Sequence, residues 1–195
     1  PVNSVIADVA VGSNPSAVVY NQDGSRAYVA NTDDDTVSII KTSDNTRIDI
    51  PVGDQPVAVA LNSTGTTVYV ANAGDKTVTA LNATTGEQLW SANIAGSSPP
   101  AIAPGVVYVS GDKLYALNAA TGSQRWSAPS CCGAPVVANG VIYIGAERLY
   151  GYRRVEGYPV VVAMAVTKAA ALRPWLRAML AYAAMTMAAA LALFS

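Results

Sequence analysis

Apolar and polar residues alternate along most of this chain in short runs, each ended by Gly, Asn, Asp or a Ser/Thr cluster. A period of two over so few residues predicts half-buried β-strands, and the punctuation between them predicts tight turns. Pro56–Asn62, Thr67–Ala71, Thr77–Asn82 and Glu87–Ile94 read as four successive strands. Ser63-Thr64-Gly65, Gly74-Asp75-Lys76 and Thr84-Thr85-Gly86 are the turns between them. Glycine supplies a positive φ there at little steric cost, and Asn or Asp closes the bend through its own backbone. The stretch before it, Ser16 to Val52, follows the same pattern strand for strand.

The pattern is a repeat. Gly12, Pro15, Asp23-Gly24, Tyr28-Val29-Ala30-Asn31 and Thr36-Val37 return in the same order and at one constant offset as Gly53, Pro56, Thr64-Gly65, Tyr69-Val70-Ala71-Asn72 and Thr77-Val78. Further on the wording changes. Pro100, Gly105, Val107-Tyr108-Val109 and Leu114-Tyr115 recur, at a shorter offset, as Pro135, Gly140, Ile142-Tyr143-Ile144 and Leu149-Tyr150. Leu81-Asn82-Ala83-Thr84-Thr85-Gly86 with Trp90 becomes Leu117-Asn118-Ala119-Ala120-Thr121-Gly122 with Trp126. A period near 40 built of four short strands predicts an all-β fold of β-propeller blades. The blades fall at about 12–52, 53–95, 96–133 and 134–154, inside a repeat region 3–154. Each Trp, on an outer strand, is placed to wedge between neighbouring blades and bury a large apolar area.

These phrases carry a family resemblance. Tyr-Val-Ala-Asn in the first two units resembles the YVTN-type propeller repeat. Thr-Gly-x-x-x-Trp in the later units resembles the quinoprotein-type repeat of pyrroloquinoline-quinone dehydrogenases and their non-enzymatic relatives. Both resemblances imply a propeller, and an extracytoplasmic (periplasmic, secreted or cell-surface) location. Four units fall short of the usual six to eight blades. Either the chain is an open array or piece of a larger ring, the favoured reading, or Ser4–Val11 completes the fourth unit and clasps a four-bladed ring shut.

Composition narrows the chemistry. The chain has no His, which removes the commonest general base and zinc ligand together. Pro1 to Tyr152 carries seven basic and twelve acidic residues, so a nucleic-acid partner bound through a basic surface is not expected. The remainder, 155–195, changes character: it is rich in Ala, Leu and Met, and helix propensity is high from Ala169, with Pro174 near a first turn. The run from Ala178 to Phe194 carries no charge, and its length stands at the short limit of a membrane span. Arg153, Arg154, Lys168, Arg173 and Arg177 all precede that run, which places its N-terminal side in the cytoplasm and conflicts with an extracytoplasmic propeller. Membrane association through 178–194 and a helical appendage without it both stay open.

Three candidate features remain. Cys131-Cys132 resembles the adjacent Cys pair of quinoprotein alcohol dehydrogenases, and that resemblance implies a vicinal disulfide against pyrroloquinoline quinone with Ca²⁺. The catalytic Asp, the Ca²⁺ ligands and the Trp floor of those enzymes find no matching positions here, so a thiol pair or disulfide in an inter-blade loop is the plainer reading. Asp33-Asp34-Asp35 offers carboxylates in one loop that could hold Ca²⁺. The matching loop, Ala73-Gly74-Asp75-Lys76, has one Asp and a Lys, which favours a solvated turn. Asn62-Ser63-Thr64 and Asn82-Ala83-Thr84 fit the glycosylation acceptor pattern, a frequent coincidence in such turns. No nucleophile–base pair is visible. The expected function is a non-catalytic extracytoplasmic scaffold for a protein or small ligand. The alternative is a fragment of a quinone-dependent alcohol dehydrogenase-like enzyme.

Overall fold

The structure is a computed structural model describing residues 7–94, 98–129, 133–138, 141–144, 151–154 and 161–164. Its strands group into four four-stranded sheets. The first sheet holds β1 (Pro15–Tyr20), β2 (Arg26–Asn31), β3 (Thr36–Lys41) and β4 (Thr46–Pro51) in that order. The second holds β5 (Pro56–Leu61), β6 (Thr67–Asn72), β7 (Thr77–Asn82) and β8 (Gln88–Asn93). The third holds β9 (Ala101–Ala103), β10 (Val106–Ser110), β11 (Lys113–Asn118) and β12 (Gln124–Pro129). These three are antiparallel meanders, the propeller blades that the repeat predicts.

The fourth sheet departs from the pattern. It is ordered β13 (Val136–Ala138), β14 (Val141–Ile144), β16 (Val161–Met164), β15 (Gly151–Arg154), with β14 and β16 parallel. A helical tail is expected from 155 on, and within it Val161–Met164 is a strand. Three consecutive valines, Val160-Val161-Val162, explain this: β-branched side chains are stiff at χ1 and favour a pleated sheet over a helix. The helix expected from Ala169, the run 178–194 and the Cys131-Cys132 pair lie outside the described residues. Among the described residues no helix is long and apolar enough to cross a membrane.

Packing runs blade to blade. One cluster joins Tyr28, Val37 and Ile39 of the first blade to Val68, Val70 and Leu81 of the second. Another joins Tyr69, Val78 and Trp90 to Val107, Val109 and Leu117 of the third. A third joins Tyr108 and Leu114 to Ile142 and Ile144 of the fourth. Residues 7–12 enter no strand of the fourth sheet, and 4–6, the start of the segment expected as a possible clasp, lie outside the described residues. Instead Val9 and Val11 pack on Ala27, Val29 and Ile40 of the first blade.

Two outer strands carry a bulge with a purpose. In β8 the register with β7 slips between Ala80 and Leu81, and in β12 the same slip occurs between Ala116 and Leu117. The extra residue, Leu89 or Arg125, lets the following Trp face the next blade, and Leu89 is left exposed. Trp90 then lies against Gly122 of the third blade, where an added Cβ would come within 2.5 Å of the indole Cε3. The structural role expected of Trp90 is what its packing shows.

Candidate functional site

The signature residues are used inside the blades. Asn31 and Asn72, the last residues of the two Tyr-Val-Ala-Asn phrases, are fully buried. The Asn31 amide donates to Thr36 Oγ1 at 3.0 Å and Ser38 Oγ at 2.8 Å, and its Oδ1 accepts from the Gly12 amide at 3.1 Å. Asn72 donates likewise to Thr77 and Thr79, while its buried Oδ1 has no hydrogen-bond partner among the described residues. Each Asn therefore staples the second strand of its blade to the third. The tyrosine of each phrase staples blade to blade: Tyr28 donates to the Ala83 carbonyl at 2.8 Å and Tyr69 to the Ala119 carbonyl at 3.3 Å. The Trp90 indole donates to the same Ala119 carbonyl at 3.0 Å. Burial pushes the phenols of Tyr28, Tyr69 and Tyr108 above their ordinary range.

The Asp33-Asp34-Asp35 carboxylates share one turn and point to three different donors. Asp33 accepts from the Asn14 amide at 3.1 Å, Asp34 from the Ser13 backbone N–H at 2.7 Å, and Asp35 from the Gln55 N–H at 2.8 Å. The backbone N–H of Ser13, then its hydroxyl, hold the Asp34 carboxyl below the usual carboxylate range. Asp35 adopts φ 53°, a left-handed conformation that Asp tolerates. The run thus locks the turn after β2 to the loops that lead into β1 and β5. Among the described residues no three His, Cys, Asp or Glu side chains converge on a cation position. Asn62 and Asn82 bind neighbouring turn residues through their side chains.

One concavity was not legible as a motif. It is a cavity of about 520 Å³ between the second and third blades, at the end of the blades opposite the Asp run. Leu61, Asn62, Ser63 and Tyr69 of the second blade and Ile102 and Ala119 of the third are among the residues that line it. It opens where the two repeat dialects meet. The inner strands β1 and β5 are six residues long, but β9 has three, followed by the short turn Pro104-Gly105. Between the first two blades the corresponding loops approach each other, with the Gly65 Cβ position 3.8 Å from Asn21 Cβ. The short third-blade turn cannot make that approach, and space remains. No charged side chain lines it. Its volume lies in the range of small-ligand and side-chain pockets. The signal in the sequence was the shorter step from Tyr69 to Tyr108 than from Tyr28 to Tyr69, and only packing turns that shortening into a void.

The comparisons agree with this architecture. A PQQ-type repeat family model, described as outer membrane protein assembly factor BamB, matches residues 7–99 and again 74–168. The chain belongs to this family. No curated protein sequence matches the chain. Among solved structures, BamB from Moraxella catarrhalis is similar at 15% identity and TM-score 0.57, over 66% of this chain and 46% of that one. The hydrazine synthase of Kuenenia stuttgartiensis is similar at 18% identity and TM-score 0.57, over 68% of this chain and 41% of that one. The WD40 repeats of RRP9 are similar at 14% identity and TM-score 0.58, over 65% of this chain and 42% of that one. At such identities the likeness is one of fold. The chain spans less than half the length of these relatives. It is a β-propeller scaffold of PQQ-like repeats.

Proposed function

We propose that this chain is a non-catalytic, extracytoplasmic binding scaffold that takes an uncharged segment of a protein partner at the cavity between the second and third blades. The cavity carries this reading. It is lined by apolar residues together with Ser63 and Thr64, and no charged side chain is among its lining residues. A segment with an apolar body and neutral polar tips satisfies such a wall, whereas a charged one is desolvated without a counter-ion. The family description, an outer membrane protein assembly factor, supports a protein chain as the occupant and the cell envelope as the location. The candidate groups with chemical potential, Asp33 to Asp35, are engaged in holding loops together, which supports a binding role over catalysis.

The test uses fluorescent peptides of alternating apolar and neutral polar residues, the pattern of an outer-membrane β-strand. Saturable binding is expected, and Ile102→Lys, which places a charge in the wall, should weaken it about tenfold or more. Equal binding by the variant, or none by the parent protein, defeats the reading. Reconstitution with pyrroloquinoline quinone and Ca²⁺ is expected to give no dye-linked alcohol oxidation; turnover would favour the dehydrogenase alternative. Fractionation of cells is expected to find the protein in the envelope rather than the cytosol.

A further inference from the structure

Each position in a blade has a counterpart in the next, so the chain carries its own controls for what blade construction requires. Where β2 begins and β3 ends, Arg26 stands directly opposite Lys41. Like charges in register across a ladder repel and destabilise the pair of strands. The counterparts are Thr67 opposite Asn82 in the second blade and Val106 opposite Asn118 in the third. Neutral residues build this part of a blade in the same register, so the two cations of the first blade serve something other than its construction.

Both cations line one cavity. It holds about 160 Å³, and Arg26, Lys41, Thr46 and Ile48 of the first blade and Thr84 of the second are among the residues around it. Arg26 is half-buried and makes no ion pair among the described residues. Asp23, the carboxylate whose charge it feels, accepts instead from the Ser25 backbone N–H at 2.9 Å. Lys41 pairs with Asp44 at 2.7 Å, and Thr46 donates its hydroxyl to the same carboxylate. That pair is about half exposed and worth little, so the Lys41 ammonium can serve a second anion. Arg47 also lines the cavity, but its guanidinium is taken up by the Ala10 carbonyl and the Asp49 carboxylate. Arg26 is thus the cation left over.

We propose that this cavity is a binding site for a phosphate group, held between the Arg26 guanidinium and the Lys41 ammonium. The guanidinium offers a planar fork of donors and the ammonium a compact point charge. A carboxylate is satisfied by the fork alone, whereas a phosphate has oxygens and charge for both. The volume is below the ~300–1,000 Å³ of sites that enclose a whole drug-sized ligand, so the phosphate enters and its substituent stays outside. Ile48, 48% exposed, offers apolar surface to that substituent. The group can come from a free phosphate or from a phospholipid headgroup. This inference is independent of the peptide-binding reading and of its cavity.

Calorimetry of the full chain with inorganic phosphate and with glycerol phosphate, and sedimentation with vesicles of phosphatidylglycerol or phosphatidylcholine, separate the two sources. Saturable binding is expected in the soluble arms or, for a headgroup, with the anionic vesicles alone. Arg26→Gln and Lys41→Gln should each weaken it about tenfold or more, and Asp44→Asn, which frees Lys41, should strengthen it severalfold. Lys76→Gln, an exposed cation that does not line the cavity, should leave it unchanged. Without ligand, Arg26→Gln should be at least as stable to urea as the parent, because it relieves the repulsion with Lys41. Phosphate, or the vesicles where only they bind, should then protect the parent and not the variant. No binding in any arm, an equal loss in Lys76→Gln, or a marked loss of stability in ligand-free Arg26→Gln would overturn the proposal.

Discussion

Single residues in this protein act through what their shape excludes as much as through what they bind. Gly24 and Gly122 share a left-handed backbone, φ 68° and 71°, but only Gly122 has a neighbour in the way, the Trp90 ring. Gly24→Ala should cost only the left-handed strain, about 1 kcal/mol. Gly122→Ala adds overpacking of roughly 1–3 kcal/mol, and urea titration of the two variants measures the difference. Tyr28→Phe leaves the buried Ala83 carbonyl without its donor and should cost about 1–3 kcal/mol by the same measurement. The three buried phenols, raised by desolvation, have their protonated form favoured in the fold. Their contribution is complete below the ordinary tyrosine pKa of about 10 and is lost as pH rises through the higher folded values. Absorbance at alkaline pH should show them ionising together with loss of structure. The Asp44 carboxyl, held down to about 2 chiefly by Lys41 and then by Thr46, has the opposite sign. Its contribution is present above the ordinary value of about 4 and disappears as pH falls toward the folded value. The pair is exposed, so salt should erase the effect, and Asp44→Asn should remove it.

At the scale of elements, the two repeat phrases solve one problem in two ways. The first blade ends in a regular outer strand whose Ile50 rests on Gly86 of the second blade. The second ends in a bulged strand whose Trp90 rests on Gly122 of the third. The bulge sets Trp90 rather than Leu89 opposite Ala80, and of these neighbours Leu89 is left 48% exposed and Trp90 8%. Trp90→Ala should therefore cost about 3–5 kcal/mol, and Leu89→Ala within about 0.5 kcal/mol, both read from denaturant midpoints. The strands themselves were legible, because Tyr-Val-Ala-Asn and its turns carry the period of two and the glycine punctuation in a few adjacent residues. The bulges were not, since they depend on how Leu81 and Gln88 pair across a turn. The cavity was not either, because it is the difference between two loops a whole repeat apart in sequence. Val161–Met164 has the β preference of its valines but no alternation to set against the helical composition around it, and its pairing with β14 and β15 joins it to the sheet.

For the molecule as a whole, stability is a sum over neighbours, as expected of stacked repeats. The second blade is clamped on both sides, by the cluster with the first and the cluster with the third. Amides of β6 and β7 should exchange more slowly than those of β1, whose outer face is bare, and hydrogen-exchange mass spectrometry resolves this by strand. By itself the sequence determined that the chain builds blades, where their turns fall, and that no His-based chemistry is present. These follow from local physics, namely side-chain alternation, glycine φ and residue chemistry. The tertiary structure alone decided which face of each blade is covered, where the Asp carboxylates are directed, and that a void opens between two repeat types. Those outcomes depend on distances between segments far apart in the chain, which no run of adjacent residues encodes.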